Sequence, residues 1–362
     1  MKFTINTKTL ASALYKAQSV VESRNTIPIL ANVLLKIDDD ALTIEGTDLD
    51  SSLSVIVNDI VPSATGSTTV SARVLSDIIK KLPDGDCTLT ATDQNLTVTS
   101  GKSKFKVATL PAVDWPVLTY ERSVSSFEMS GALLKSAFDS VAFSMSQEEA
   151  RYYLNGVYAH TFEGRLRLVS TDGHRLSRLD TVEHDMAIAS GIIIPRKAVI
   201  EASKLFADAG NVTVEYSDTS IAFTSDGLSF RSKLIDGTFP DYQRVIPSDN
   251  NLDFAVKADV FKPMIDRVST VSDGKSRAVK LEWSQGEVTA TVSQGENTAS
   301  DTVETENAME SITVGVNSRY LIDAIARLDD TVVFHFSDSK SPMLLTSPSI
   351  PDYLTLVMPM RT

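Results

Sequence analysis

Hydrophobic positions along this chain follow two periods, and the periods alternate in a fixed order. Leu10, Leu14, Ala17 and Val21 fall three to four residues apart, the spacing of one face of a helix. The same spacing returns in Leu133, Leu134, Ala137, Phe138 and Val141, and again in Val260, Phe261, Met264, Ile265 and Val268. A short strand, opened by Phe3, Phe127 or Phe254, leads into each of these helices. Two-residue alternation follows, as in residues 42–45 and 167–169, and predicts strands with one buried face. A second helix is predicted over residues 72–82, 196–207 and 318–328. Pro195 stands at the entrance to the middle one, where a missing N–H removes no helical bond. Further strands close the pattern, among them residues 87–92, 96–100 and 104–109.

The recurrence is a repeat of the whole unit. Thr47-Asp48 reappears as Thr171-Asp172 and Trp115-Pro116 as Phe239-Pro240, both at a spacing of 124 (47 to 171, 116 to 240). Val70-Ser71-Ala72-Arg73-Val74 matches Ile194-Pro195-Arg196-Lys197-Ala198, and again Val316-Asn317-Ser318-Arg319-Tyr320. Shared order and a near-constant offset make three copies the reading of the entire chain. Polar, turn-rich stretches at 121–126 and 247–252 mark the joints. The expected domains are therefore 1–122, 123–250 and 251–362, each with two helices packed on antiparallel sheets. No strand–helix–strand alternation occurs, so the class is α+β.

Composition sets limits. The 362 residues are 42% hydrophobic and 22% charged, which is globular. No stretch approaches the ~18 apolar residues of a membrane-spanning helix, and the first residues lack the apolar core of a secretory leader. One cysteine, Cys87, cannot form an internal disulfide, so a reducing cytoplasm is expected. The balance of 34 basic and 47 acidic residues gives a net charge of −13, the opposite of a typical nucleic-acid binder. Yet the cations concentrate on the predicted helices: Lys8, Lys16, Arg73, Lys80, Lys81, Lys135, Arg196, Lys197 and Lys204 among them. Either each helix has an ordinary solvated basic face, or the repeated helices share one surface and create a local positive field.

Catalytic chemistry is sparse. There is no phosphate-binding glycine loop, no GxGxxG after a strand, no HExxH and no cysteine–histidine ligand set. Neither a metal nor a cofactor is expected. Asp172 and His174 could serve acid–base work, which would make a hydrolase. The alternative is a turn in which Asp172 caps backbone N–H groups and Gly173 supplies an unusual φ. Cys87 lies in a predicted strand and reads as a buried structural thiol.

Several blocks taken together resemble the bacterial sliding clamps, the beta subunits of DNA polymerase III. They are Pro28-Ile29-Leu30-Ala31-Asn32, Gly46-Thr47-Asp48-Leu49-Asp50, residues 110–116 (LPAVDWP), 151–156 (RYYLNG), 171–176 (TDGHRL), 194–197, 233–242 (KLIDGTFPDY) and 357–361 (VMPMR). The resemblance runs end to end. It implies a non-enzymatic processivity factor: a head-to-tail homodimer closing six similar domains into a ring around duplex DNA. Twelve helices at ~8–10 Å spacing give a circumference near 100–120 Å and a bore of roughly 22–28 Å, enough for a duplex. A topological link needs few phosphate contacts, which is compatible with an acidic chain.

The resemblance also implies sites. Arg24, Arg73, Tyr152, Tyr153, Arg196 and Lys197 would meet DNA without reading sequence. Glu148-Glu149 stands where relatives often present uncharged polar groups. A partner-peptide pocket would use Leu154, Thr171, Gly173, His174, Arg175, Leu176, Pro240, Arg244, Val245, Asn317, Tyr320, Val357, Met358, Pro359, Met360 and Arg361. Its methionines and leucines form an adaptable apolar surface for several ligands: the replicative polymerase, the ATP-dependent clamp loader, other polymerases and repair proteins. Ser276 and Thr362 depart from the residues that relatives can carry there. The dimer interface would pair Lys102, Lys104, Phe105 and Lys106 with Val271, Asp301, Glu304 and Glu306 of a second copy. No membrane partner is implied, and the setting is the bacterial cytoplasm, at the replisome on the nucleoid. A peptide-binding scaffold that never encircles DNA is the competing non-enzymatic reading.

Overall fold

The computed structural model describes residues 1–22, 26–121, 125–183, 191–272, 277–305 and 311–360. In the first repeat the order is β1 (Lys2–Asn6), α1 (Thr7–Gln18), β2 (Asn32–Asp38), β3 (Ala41–Thr47), β4 (Ser51–Val57), β5 (Val61–Ala64), β6 (Gly66–Ser71), α2 (Ala72–Lys81), β7 (Asp86–Ala91), β8 (Asn95–Ser100) and β9 (Ser103–Leu110). The central repeat has β10 (Ser125–Met129), α3 (Gly131–Ala142), β11 (Gly156–Phe162), β12 (Arg165–Thr171), β13 (Arg175–Glu183), β14 (Ile192–Pro195), α4 (Arg196–Leu205), β15 (Val212–Tyr216), β16 (Ser220–Ser225) and β17 (Leu228–Lys233). The last has β18 (Leu252–Lys257), α5 (Ala258–Val268), β19 (Ala278–Ser284), β20 (Glu287–Gln294), β21 (Asn297–Glu304), β22 (Ile312–Asn317), α6 (Ser318–Ile325), β23 (Thr331–Phe336), β24 (Met343–Thr346) and β25 (Tyr353–Val357). The recorded pairings are antiparallel throughout.

Helix starts follow from local capping. The Asn6 side chain accepts from the Lys8 N–H at 2.9 Å, and that of Asn317 from Arg319 and Tyr320 at 3.0 and 3.3 Å, so side chains satisfy otherwise orphaned donors. Helix ends fall short of the periodic pattern. α1 stops at Gln18, leaving Val21 outside the helix. α6 stops at Ile325, because Arg327 and Leu328 turn to the tighter bonds on Ala324 and Ile325. α4 likewise ends at Leu205. The predicted helical faces are buried: Leu10, Leu14 and Ala17 in α1, and Phe261, Met264, Ile265 and Val268 in α5. The core of the last repeat is aromatic, with Trp283 against Phe254, Phe261, Phe334 and Phe336 at ring separations of 4.8–5.9 Å.

Contacts divide the chain into two compact units: Met1–Ser136 with Lys197–Leu234, and Ala137–Arg196 with Ile235–Thr362. The cut runs through the central repeat because sheets run through the joints between repeats. Within the first unit β17 pairs with β4, fusing strands of two repeats into a sheet of 13 among the described residues. Within the second, β25 pairs with β13 in a sheet of eight. Pairing registers make β4, β13 and β21 equivalent, and likewise β9, β17 and β25. One joint is thus used twice. The two members it leaves over are β21, a sheet edge, and β9, whose Ser103–Ala108 pairs only with β8 among the described residues.

Candidate docking pocket and strand edges

The second joint gathers the predicted pocket residues inside one compact unit. Leu154, Leu176 and Val357 among them are buried. Leu154 and Leu176 share an apolar cluster with Phe239, Tyr242, Leu354 and Leu356. The 171–175 turn forms one rim. Thr171 Oγ1 donates to the Arg175 carbonyl at 2.7 Å and accepts from the Gly173 N–H at 3.0 Å. Asp172 Oδ1 accepts from the His174 and Arg175 N–H groups at 2.8 and 3.0 Å. Gly173 has φ +87°, so the turn reading of this motif is the observed one. The His174 imidazole stacks on Tyr320 at 6.3 Å. Asp172 is thus engaged by backbone N–H groups and by Arg175, and the His174 ring by Tyr320, rather than each by the other.

Arg175 is locked. Its Nε donates to Asp172 at 3.0 Å and its Nη1 to Asp323 at 2.7 Å, while the guanidinium lies over Tyr320 at 4.4 Å and Phe143 at 5.4 Å. Asn317 caps α6 beneath Tyr320. The Met358 N–H donates to the His174 carbonyl and the Met360 N–H to Gly315, both at 2.8 Å, which pins the 357–360 segment across the joint. Met358 and Met360 remain exposed, as do Val245, Pro240 and Arg244, the last paired with Asp241 at 2.8 Å. A neighbouring groove of about 570 Å³ is lined by Arg244, Val245 and Met358 and extends to Asp338 and Pro342. Apolar anchors thus surround fixed polar groups, the pattern of a peptide-binding surface.

Sequence reasoning missed three contributors. Phe143 and Asp323 clamp Arg175, and Arg151 lies against Gly173, where an added Cβ would stand 2.6 Å from its Nη1. Arg151 is held by Glu148 at 2.8–2.9 Å, which holds the Glu148 carboxyl below the usual range. A carboxylate three residues before an arginine was the available signal; the contact with a turn two dozen residues away left none.

The predicted DNA residues sit in differing settings. Arg73 is well exposed on α2. Tyr152 is half exposed in the 3-10 turn Glu149–Leu154, while Tyr153 packs partly against the apolar cluster. Arg196 Nη1 lies 3.5 Å from the Met145 carbonyl. Lys197 is a strut: its ammonium donates to Asp48 and, at 2.9 Å, to the Val20 carbonyl, leaving one of its three hydrogens for any phosphate. Asp48 is buried, which raises its pKa, but Lys197 and the Ser51 donors pull it below the usual carboxylate range. Arg24, Glu306 and Arg361, with Ser276 and Thr362, lie outside the described residues.

At the edges, Lys104, Phe105 and Lys106 are exposed along β9, and Lys102 belongs to the turn before it. Glu304 is exposed on β21, and Val271 packs partly against the last repeat's core. Asp301 is already engaged by Arg267 of its own repeat at 2.6–2.8 Å, because α5 packs on β21. Cys87 is buried, its Sγ 3.4 Å from the Ile5 carbonyl, and burial pushes the thiol up to about 11. No helix is long and apolar enough to cross a membrane, and no acid–histidine–cysteine group of three could hold a metal, among the described residues.

Comparison with known proteins follows the three repeats. Residues 1–119, 128–241 and 243–361 match the N-terminal, central and C-terminal domain models of the DNA polymerase III beta subunit. The beta sliding clamp of Caulobacter vibrioides is 39% identical and that of Escherichia coli K12 32%, over 100% of both chains in each case. A sliding clamp of Bartonella birtlesii, solved bound to griselimycin, superposes with a TM-score of 0.96 at 38% identity over 100% of each chain. One from Pseudomonas aeruginosa, also bound to griselimycin, gives 0.94 at 33%, again with complete coverage of both.

Proposed function

We propose, from the premise that this chain belongs to the DNA polymerase III beta subunit family, how its joints and edges perform the work of a sliding clamp. The protein is a DNA polymerase III processivity clamp and not an enzyme. It binds DNA and polymerase. The observation that carries the detailed reading is the joint used twice, with one copy of each member left open. Repeating it a third time between chains, β21 of one on β9 of the next, closes a head-to-tail ring of six domains. The registers of the first two joints, transferred, set Ser300 opposite Lys104, Ala299 opposite Phe105 and Thr298 opposite Lys106 of the second copy. Lysines on β9 then meet an acidic neighbourhood containing Asp301 and Glu304, which favours this partner over a second β9.

The domains on this reading are 1–122, 123–250 and 251–362. DNA passes through the ring and meets Arg73, Tyr152, Tyr153 and Arg196 without base contacts, so movement along it is sequence-blind. The pocket at the second joint takes short peptides with apolar anchors from polymerases, the clamp loader and repair proteins. Griselimycin-bound relatives support a peptide-like occupant. Ring opening falls to a separate ATP-driven loader, and the site of work is the bacterial cytoplasm, at the replisome on the nucleoid.

Loading onto nicked circular DNA with loader and ATP, followed by linearisation, tests the ring. Retention on circles and loss from linear DNA is expected. Equal retention on both would exclude a topological link. Phe105→Arg should convert a dimer into single chains in sedimentation; an unchanged mass would refute the β9–β21 seam.

A further inference from the structure

Beneath the pocket lies a polar network that the docking surface itself does not use. His160 on β11 faces Arg167 of β12, Asp180 of β13 and Tyr242 of the 3-10 turn Tyr242–Val245. Arg167 is 5% exposed; Nε and Nη2 bind Asp180 in a two-pronged pair at 2.5 and 2.7 Å, and its guanidinium covers the Phe162 ring at 3.5 Å. Its Nη1 lies 3.4 Å from the Tyr242 hydroxyl, which lies 2.9 Å from His160 Nε2. Arg178 of β13 approaches Asp180 at 3.7 Å, and Tyr158 of β11 stacks on the imidazole at 4.9 Å.

Donor chemistry fixes the proton pattern. An arginine can only donate, so the Tyr242 oxygen accepts from Arg167. The Thr161 carbonyl can only accept, so the hydrogen of a neutral His160 ring sits on Nδ1 and donates to it at 3.2 Å. Nε2 is then the bare nitrogen, and it accepts the Tyr242 hydroxyl hydrogen at 2.9 Å. The hydrogen bonds that join Arg167, Tyr242, His160 and the Thr161 carbonyl are complete only while the imidazole is neutral, and burial keeps it so by lowering its pKa. A second proton would set N–H against O–H and add positive charge beside Arg167.

The network ends in the pocket wall. Of the four residues Tyr242–Val245, Tyr242 is the buried one, while Arg244 and Val245 face the docking surface. Tyr158 also stacks on Phe239 at 4.9 Å and 5°, directly before Pro240. We infer that His160 is a positioning residue of the docking pocket: as a neutral ring it takes the Tyr242 hydroxyl hydrogen and holds the 240–245 wall in its binding shape. The inference rests on the docking reading above.

The probe is griselimycin, titrated calorimetrically against the full-length protein between about pH 7.5 and pH 5, the range in which a histidine titrates. Tyr242→Phe should weaken binding about five-fold at pH 7.5, the size of one lost hydrogen bond. His160→Gln, whose amide oxygen can still accept the tyrosine hydrogen, should bind within about two-fold of wild type there. On acidification the wild type should lose at least about three-fold more affinity than His160→Gln. His174 is present in both proteins, so its contribution cancels from the comparison. Nitrogen-15 spectra of labelled histidine should show a neutral ring protonated at Nδ1, its signal absent in His160→Gln. Superimposable pH profiles, or a ring protonated at Nε2, would overturn the inference; if Tyr242→Phe does not fold, these two readouts decide alone. Absence of griselimycin binding by the wild type, or full binding by Tyr320→Ala, would instead overturn the docking reading and the inference with it.

Discussion

At the first joint the Lys233 N–H donates to the Asp50 carbonyl at 2.8 Å; at the second, the Met358 N–H donates to the His174 carbonyl at the same distance. The backbones are equivalent position for position, and the side chains are not. Asp50 and Lys233 close their rim with an ion pair at 3.0 Å. Tyr120 adds a hydrogen bond to Ser52 at 3.0 Å beneath the Arg231 guanidinium, and Glu121 accepts from Thr219. At the second joint the matching positions are His174, Met358, Arg244 and Val245. There the imidazole stacks on Tyr320, and Met358 and Val245 stay exposed. A continuous strand ladder therefore joins repeats at both places, while the rim side chains are tied together at the first joint and left exposed at the second.

The comparison breaks most sharply if one rim is rewritten as the other. His174→Asp with Met358→Lys rebuilds the Asp50–Lys233 pair at the second joint. Griselimycin binding should fall about 100-fold, near 2.7 kcal/mol. Thermal stability should stay within about 0.5 kcal/mol of wild type, because exposed ion pairs contribute little. Retained binding would show that the rim residues do not confer docking.

The next largest effect lies at the first joint. Lys197→Met leaves the buried Asp48 carboxylate without its ammonium and should cost about 2 kcal/mol. That is less than a fully buried pair, since the lysine remains about one-third exposed. The pH dependence has a definite sign. Asp48 has a depressed pKa in the fold, so its contribution is present above the ordinary carboxylate range and is lost as pH falls through the folded value. Urea unfolding at neutral and at acid pH should therefore show wild type and Lys197→Met converging in acid. A constant difference would remove the carboxylate from the account.

Repeat number was legible because matching blocks recur at a near-constant offset, and the helix faces and the Asp172-Gly173 turn because each depends on local spacing. Thr47 and Thr171 make the same bond to the carbonyl four residues on, at 2.8 and 2.7 Å. Partnerships between distant residues were not legible. Lys197 reads as a free cation until Asp48 is folded against it, and Asp301 as a free acid until α5 brings Arg267 over β21. Arg151, Asp323 and Phe143 lacked any periodic mark, since they act by reaching across to a turn or an arginine on another element.

The smallest effect separates the two turns themselves. Leu49 and Gly173 occupy the same place after Thr-Asp, with φ of +77° and +87°. A leucine there carries a left-handed backbone cost of roughly 1 kcal/mol that glycine avoids, whereas glycine adds a comparable entropy to the unfolded chain. Leu49→Gly should therefore change stability by no more than about 0.5 kcal/mol. Gly173→Ala imposes the backbone cost and also drives a Cβ into Arg151 Nη1. Because that atom ends a flexible side chain, the arginine can move, but only by loosening its pair with Glu148. A loss of about 1–1.5 kcal/mol in urea unfolding is expected, with weaker griselimycin binding, since the displaced guanidinium stands at the pocket rim. Equal and small effects at both positions would mean that Arg151 is only resting on the turn. A selective loss at Gly173 would show that the open joint depends on a glycine where the sealed one tolerates leucine.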